Sequence, residues 1–150
     1  MSDLINNLQD KDDKKAYTLA QTIIAESAAS DAYYRYLDDF LEMLTHKSSF
    51  VRARGFGLAC AQARWDQENR LNTAMNRMLC LLHDEKPTAV RQCLAALHEV
   101  AACKPELRPT IREELGKMDS SRYKDSMAPL IEKDRDRLLA VLNAETEASR

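Results

Sequence analysis

Glycine and proline are scarce in this 150-residue chain, three and four in all. That scarcity excludes the turn-rich chemistry of a β-sandwich or barrel and favours helices. There is no long apolar run of the kind that crosses a membrane. Neither sign of charge is in excess, because 22 Lys plus Arg stand against 24 Asp plus Glu, a net charge of -2. The chain therefore has no global electrostatic drive toward nucleic acid or an anionic membrane. Cys60, Cys80, Cys93 and Cys103 contain no Cys-x-x-Cys pair and lack the short secreted context of a disulfide framework, so reduced, mostly buried thiols are expected, with no metal or cofactor. Met1-Ser2-Asp3-Leu4 places an acid where a signal peptide carries its basic region, and a cytoplasmic location is expected.

What the chain does have is apolar spacing. A hydrophobic content of 45% over this length is enough for one domain without staples. Apolar residues recur at three-and-four spacing at Leu37, Phe40, Leu41 and Leu44, at Leu71, Met75, Met78, Leu79 and Leu82, and at Ile111, Leu115 and Met118. Each set predicts an amphipathic helix with one buried stripe. A short polar connection follows each, then a second helix, with stripes at Val51 and Leu58 and at Val90, Leu94 and Leu97. The unit is a helix hairpin.

Taking Ala16, Val51, Val90 and Tyr123 as the first core position of each second helix gives separations of 35, 39 and 33 residues, a period near that of HEAT repeats. Val51-Arg52 mirrors Val90-Arg91, and Tyr123-Lys124 follows more loosely. Asp31 is expected to cap the helix through Thr45, and Asn69 the helix through His83. Pro87 and Pro105 suit first turns or connections. Pro129 demands a kink or a break after Met127. The first helix should run from about Ser2 to Leu8, and the tail from Asn143 to Arg150, which loses its stripe, should cap or fray.

These features resemble HEAT-like, armadillo-type repeat proteins, and more closely a group of small bacterial proteins sometimes labelled SufBD protein. The resemblance covers most of the chain and rests on Val51-Arg52-Ala53-Arg54-Gly55-Phe56 with Ala63-Arg64-Trp65-Asp66, on Asp84-Glu85-Lys86-Pro87 with Arg91-Gln92, and on Tyr123-Lys124-Asp125-Ser126-Met127 with Pro129-Leu130-Ile131-Glu132-Lys133-Asp134. It implies an all-α, right-handed α-α superhelix of about four helical hairpins forming a single domain. No activity comes with it. The label evokes iron-sulfur cluster assembly, whose scaffolds resemble long β-helices, and this helical pattern is not one of those.

Candidate binding residues concentrate in one stretch. The helix expected from Val51 to Trp65 carries Arg52, Arg54 and Arg64 and no acid. On a concave face its guanidinium groups would grip carboxylate or phosphate; otherwise they form a solvated face or pair with neighbouring acids. Arg52 and Arg91 each stand in a first turn, where the helix dipole disfavours a cation. An Asp-Arg ladder between stacked units, drawing on Asp84, Glu85 or Asp119, is the favoured explanation over ligand binding. Trp65 and Asp66 form either a recognition corner or a hydrophobic cover over a helix end, and Tyr33, Tyr34 and Tyr36 read as core and rim.

Gly55-Phe56-Gly57 is no phosphate loop, since no strand precedes it and no Lys-Ser or Lys-Thr follows; its glycines are expected to let the first helix of the unit approach closely. His46, His83 and His98 lack a spaced acid or cysteine partner, so no catalytic or metal site is assigned. The leading expectation is a non-enzymatic binding or scaffold module. Its second-helix face, with Arg52, Arg54, Arg64, Trp65, Asp66, Arg91, Gln92 and Lys124, would contact an acidic protein segment. The alternative is nucleic-acid binding or DNA repair, because one DNA glycosylase family is built from HEAT-like repeats and uses acid, Arg and Trp residues; Trp65, Asp66 and Arg91 would then carry the role.

Overall fold

The computed structural model describes residues 3–148. Among them the chain is all-helical, with no strand. Its eight α-helices are α1 (Asp3–Leu8), α2 (Asp13–Ser27), α3 (Leu37–Glu42), α4 (Ser49–Cys60), α5 (Arg70–Leu79), α6 (Pro87–Cys103), α7 (Arg108–Gly116) and α8 (Ala128–Ala148). Single 3-10 turns extend α3 over Met43–Thr45 and α5 over Cys80–His83. No helix is long and apolar enough to cross a membrane.

The helices pack in a row. α2 lies on α4, α4 on α6 and α6 on α8, while α1 backs α2, α3 backs α4 and α7 backs α8. The turn that continues α5 rests against α6. One apolar seam runs through these pairs, with Ile23, Phe40, Phe56, Met78, Leu97 and Ile111 all essentially sealed from water. Each such side chain is worth about 2 kcal/mol of burial, so the row is held chiefly by its core.

Several boundaries differ from the expected ones, each for a local reason. Asp31 does not cap the helix through Thr45: turns and a 3-10 segment (Tyr34–Tyr36) intervene before α3, and neither element has a side-chain cap. Asn69 does precede α5, but in the left-handed region at φ 57° and without a side-chain cap. Asp66 caps from a distance instead, accepting the N–H groups of Arg70 and Leu71 at 3.0 and 2.8 Å. The helix expected from Val51 to Trp65 ends at Cys60, and Arg64 and Trp65 stand on a separate 3-10 turn (Ala63–Trp65).

At the last pair the chain breaks between Met118 and Ala128, so Tyr123 lies in the connection and the first buried position of α8 is Ile131. Ala16, Val51, Val90 and Ile131 are all buried. The break after Met127 follows from Pro129, which occupies the opening turn of α8 where its missing N–H leaves nothing unpaired. The tail expected to fray from Asn143 keeps a helical backbone to Ala148, and Ser149 and Arg150 lie outside the described residues. Pro87 opens α6 and Pro105 opens a 3-10 turn, as their chemistry favours.

Gly55 shows why α3 and α4 sit so close. A Cβ there would stand 2.6 Å from the Cβ of Met43 and 2.7 Å from the carbonyl oxygen of Phe40, so only glycine admits α3 at this distance. Gly57, two residues on, faces away from α3, and a Cβ there would meet only Ile24 Cδ1 at an ordinary 3.5 Å.

Candidate functional site

The arginines that the sequence marks out are tied to neighbouring helix pairs. Arg52 places a two-pronged grip on Asp84, at 2.9 and 3.2 Å, and also donates to the carbonyls of His46 and Lys47. His46 is the C-cap of the preceding 3-10 turn and Lys47 follows it, so Asp84 and these two carbonyls compensate a cation that stands in the first turn of α4. Arg91 meets Asp134 of α8 at 2.6 Å. The ladder partner is thus Asp134 and not Asp119, which caps the turn Ser120–Arg122 through Ser121 N–H. The displacement follows from α8 starting at Ala128.

Arg54 is buried at 5% exposure, donating to Leu8 O and to Asp13. It closes the C-terminal carbonyl of α1 and holds the start of α2. Arg64 donates to Glu99 and to Ala28 O, the latter at the end of α2. Apart from the two local carbonyls of Arg52, the partners in these bonds lie 32 to 46 residues apart in the chain, about one helix pair. Such bidentate, charge-assisted contacts fix the spacing between pairs.

Trp65 and Asp66 are likewise committed. The Trp65 indole N–H donates to Ser27 O at 2.7 Å, joining the turn after α4 to the end of α2. Asp66 is buried at 3% exposure and accepts from Tyr34 Oη at 2.6 Å, from the start of α5, and from Lys104 Nζ at 3.2 Å. Burial alone would push its carboxyl up, but the hydrogen bonds from Tyr34, Leu71, Arg70 and Lys104 outweigh that and hold it below the ordinary range. Burial and the same carboxylate push the Tyr34 phenol up to about 12. Lys104, itself buried, also holds Asn69 Oδ1 and Asp66 O at 3.0 Å each, which accounts for the left-handed Asn69. Tyr34 thus belongs to a polar hub and not simply to core and rim.

The open surface lies elsewhere, along the second helices. A depression of about 580 Å³ runs over α4 between α2 and α6. Its floor is made of the small residues Ala53 and Gly57 of α4 and Ala61 at its C-cap, spaced four apart, and its flanks include Tyr17, Ile24, Gln92 and His98. Two further depressions, of about 490 and 210 Å³, open from it at Gln92 toward α8 and toward the start of α6. Tyr17 and Phe50, 48% and 52% exposed, border this trough, and Leu130 is the other large apolar residue so exposed among the described residues.

Of the expected binding residues, the structure brings Arg54, Arg91 and Gln92 to the trough, and Gln92 borders all three depressions. Arg52, Arg64, Trp65 and Asp66 serve the joints between pairs, and Lys124 is exposed in the connection before α8. Trp65, Asp66 and Arg91 are not gathered into one site, since Arg91 borders one depression and the other two border none of the three. Sequence reasoning missed the trough itself. The available signal was the alanines and glycine at Ala53, Gly57 and Ala61, too small to register as an apolar stripe, beside Tyr17 and Phe50 on a polar face.

Burial pushes the thiols of Cys60 and Cys93 up, which keeps them protonated and poor nucleophiles. Among the described residues no group of three or more His, Cys, Asp or Glu side chains could hold a metal ion. His83, which the sequence left without an acid, meets Glu114 at 2.5 Å, another bond between neighbouring pairs. No family model, curated protein or solved structure matches the chain.

Proposed function

We propose that this chain is a HEAT-like, armadillo-type binding module without an enzymatic activity of its own, and that its trough receives a segment of another protein. The row of helix pairs would curve as a right-handed superhelix, with α2, α4, α6 and α8 on its inner face. The observation that carries the reading is the meeting of three depressions at Gln92 on one face, bordered by the exposed Tyr17 and Phe50. A lone exposed aromatic is ordinary, whereas aromatics beside a concave, small-floored surface are the usual anatomy of a binding site.

The reading moves the binding role away from Arg52, Arg54 and Arg64. Reversing charge at Arg54 would test folding, because its guanidinium is buried against Leu8 and Asp13. The useful variant is Gly57→Leu, at a position on the trough floor where an added Cβ meets only Ile24 Cδ1, at 3.5 Å. In a crosslinking capture from cell extract, proteins joined to the wild type should be lost with Gly57→Leu and kept with Lys124→Glu, at an exposed position outside the three depressions. Capture unaffected by Gly57→Leu, with the fold confirmed by circular dichroism, would overturn the proposal.

A further inference from the structure

The occupant can be specified further from the shape and charge of the trough; this step rests on the binding reading just given. Its main groove is lined along α4 and its C-cap from Ala53 to Ala61, a span of about 12 Å at 1.5 Å per residue. A groove of that length matches about two helical turns of a partner. Its floor of Ala53, Gly57 and Ala61 is low and apolar, while Ile24 and Tyr17 stand along one flank, an arrangement that receives the apolar stripe of a helix rather than single side chains spaced along an extended strand.

Charge supplies the second constraint. Where the trough opens at Gln92 it is bordered by Lys86, Arg91 and Arg137, with Asp134 as the acid among them. Asp134 is already engaged by Arg91, and both Lys86 and Arg137 are exposed. At the other end Glu99 is engaged by Arg64. The trough is therefore locally cationic on a chain whose net charge is -2, and that contrast selects acids on the partner.

We propose that the trough takes an amphipathic α-helix of a partner protein, with its apolar face on Ala53, Gly57 and Ile24 and with carboxylates at the end that emerges over Lys86 and Arg137. The apolar face provides the hold and the carboxylates set direction and register. A polyanion such as nucleic acid would find the cations but not the use of the apolar floor.

The test is a selection from a display library of random 18-residue peptides on the intact wild-type chain, with Gly57→Leu, Gln92→Trp and the pair Lys86→Glu with Arg137→Glu as comparison baits. Thermal melts establish that each bait is folded. The expected result is enrichment of sequences with apolar residues at i, i+3, i+4 and i+7 and an acidic end. That enrichment should fall at least tenfold on either trough-filling variant, and the acidic preference should disappear on the charge-reversed pair. Enriched peptides that need the trough but read as extended, proline-rich or basic would overturn the helix assignment and leave the binding module standing. Peptides indifferent to both filling variants, or no enrichment at all, would overturn the binding reading along with it. A short single-stranded DNA that binds the wild type and competes with the peptides at 150 mM salt would overturn the choice of a protein partner.

Discussion

Gly55 and Gly57 stand two residues apart on α4 and serve opposite faces of the molecule. Gly55 lies where α3 presses against α4 with no room for a methyl group, and Gly57 lies on the floor of an open trough. The difference separates a packed side, where neighbouring pairs determine every atom, from an open side, where smallness leaves room for something else. Gly55→Ala should therefore be the most damaging small change in the protein. It sets a Cβ against the Phe40 carbonyl, and overpacking of that kind costs about 3 kcal/mol. Gly57→Ala should instead stabilise by about 0.5–1 kcal/mol, the ordinary gain of replacing a helical glycine. Denaturant midpoints of the two variants measure the contrast, and equal shifts of the same sign would abolish it.

The hub around Asp66 sharpens the description of the packed side. Asp66→Asn leaves the buried Lys104 with Glu106, at 4.0 Å, as its nearest anion and removes one of the two acceptors at the start of α5, at a cost of about 2–3 kcal/mol at neutral pH. Its pH dependence carries a sign. The folded carboxyl is held below its ordinary value by Tyr34, the α5 N–H groups and Lys104, against the opposing effect of burial. Its contribution is then complete above the unfolded value of about 4 and is lost as pH falls through the lower folded value. Wild-type stability should drop in that acid window, and Asp66→Asn should drop less steeply. Parallel curves for the two proteins would mean that the hub is not held by the charged carboxylate.

The joints between pairs were partly legible in the sequence. An arginine in the first turn of a helix is electrostatically misplaced unless something nearby compensates, and that reasoning reached Asp84 for Arg52. It missed Asp134 for Arg91 because Tyr123 was aligned as a helix start, and only Pro129 signalled that the last second helix begins later. Gly55 was legible as a close approach, since two glycines in a helix need a reason. Asp66 was not legible as a cap, because its reach to Arg70 and Leu71 depends on the left-handed turn at Asn69, which Lys104 holds from 35 residues away. The trough was hidden for a different reason: hydrophobic periodicity finds what is buried, and a groove floored by alanine and glycine is marked by what is missing.

Arg54 and Arg52 test whether the joints behave as a set. Arg54→Ala strands the Leu8 carbonyl and frees Asp13, an expected loss of about 2 kcal/mol. Arg54→Lys should recover only part of it, since a single ammonium cannot replace the planar fork. Arg52→Ala gives up the grip on Asp84 at a largely buried position, where the two side chains are 17% and 7% exposed, with an expected loss of about 1.5 kcal/mol. A double-mutant cycle between Arg52 and Asp84 should return most of that loss as coupling; independent effects would show that the pair is incidental.

The smallest effect belongs to Arg64, and it decides how far the ladder extends. Its guanidinium and Glu99 are both more than a third exposed, so water and salt screen the pair and side-chain entropy offsets much of the attraction. Arg64→Ala should leave the melting temperature unchanged within error at 150 mM salt, with a slight lowering only at low ionic strength. Glu99 borders the trough, however, and the same substitution frees its carboxylate at the end away from Lys86 and Arg137. If the trough receives an acidic segment, that freed charge should weaken binding without touching stability, which sets Arg64 apart from Arg52 and Arg54. A large loss of stability in Arg64→Ala would instead place this joint with the buried ones and deprive the open side of its boundary.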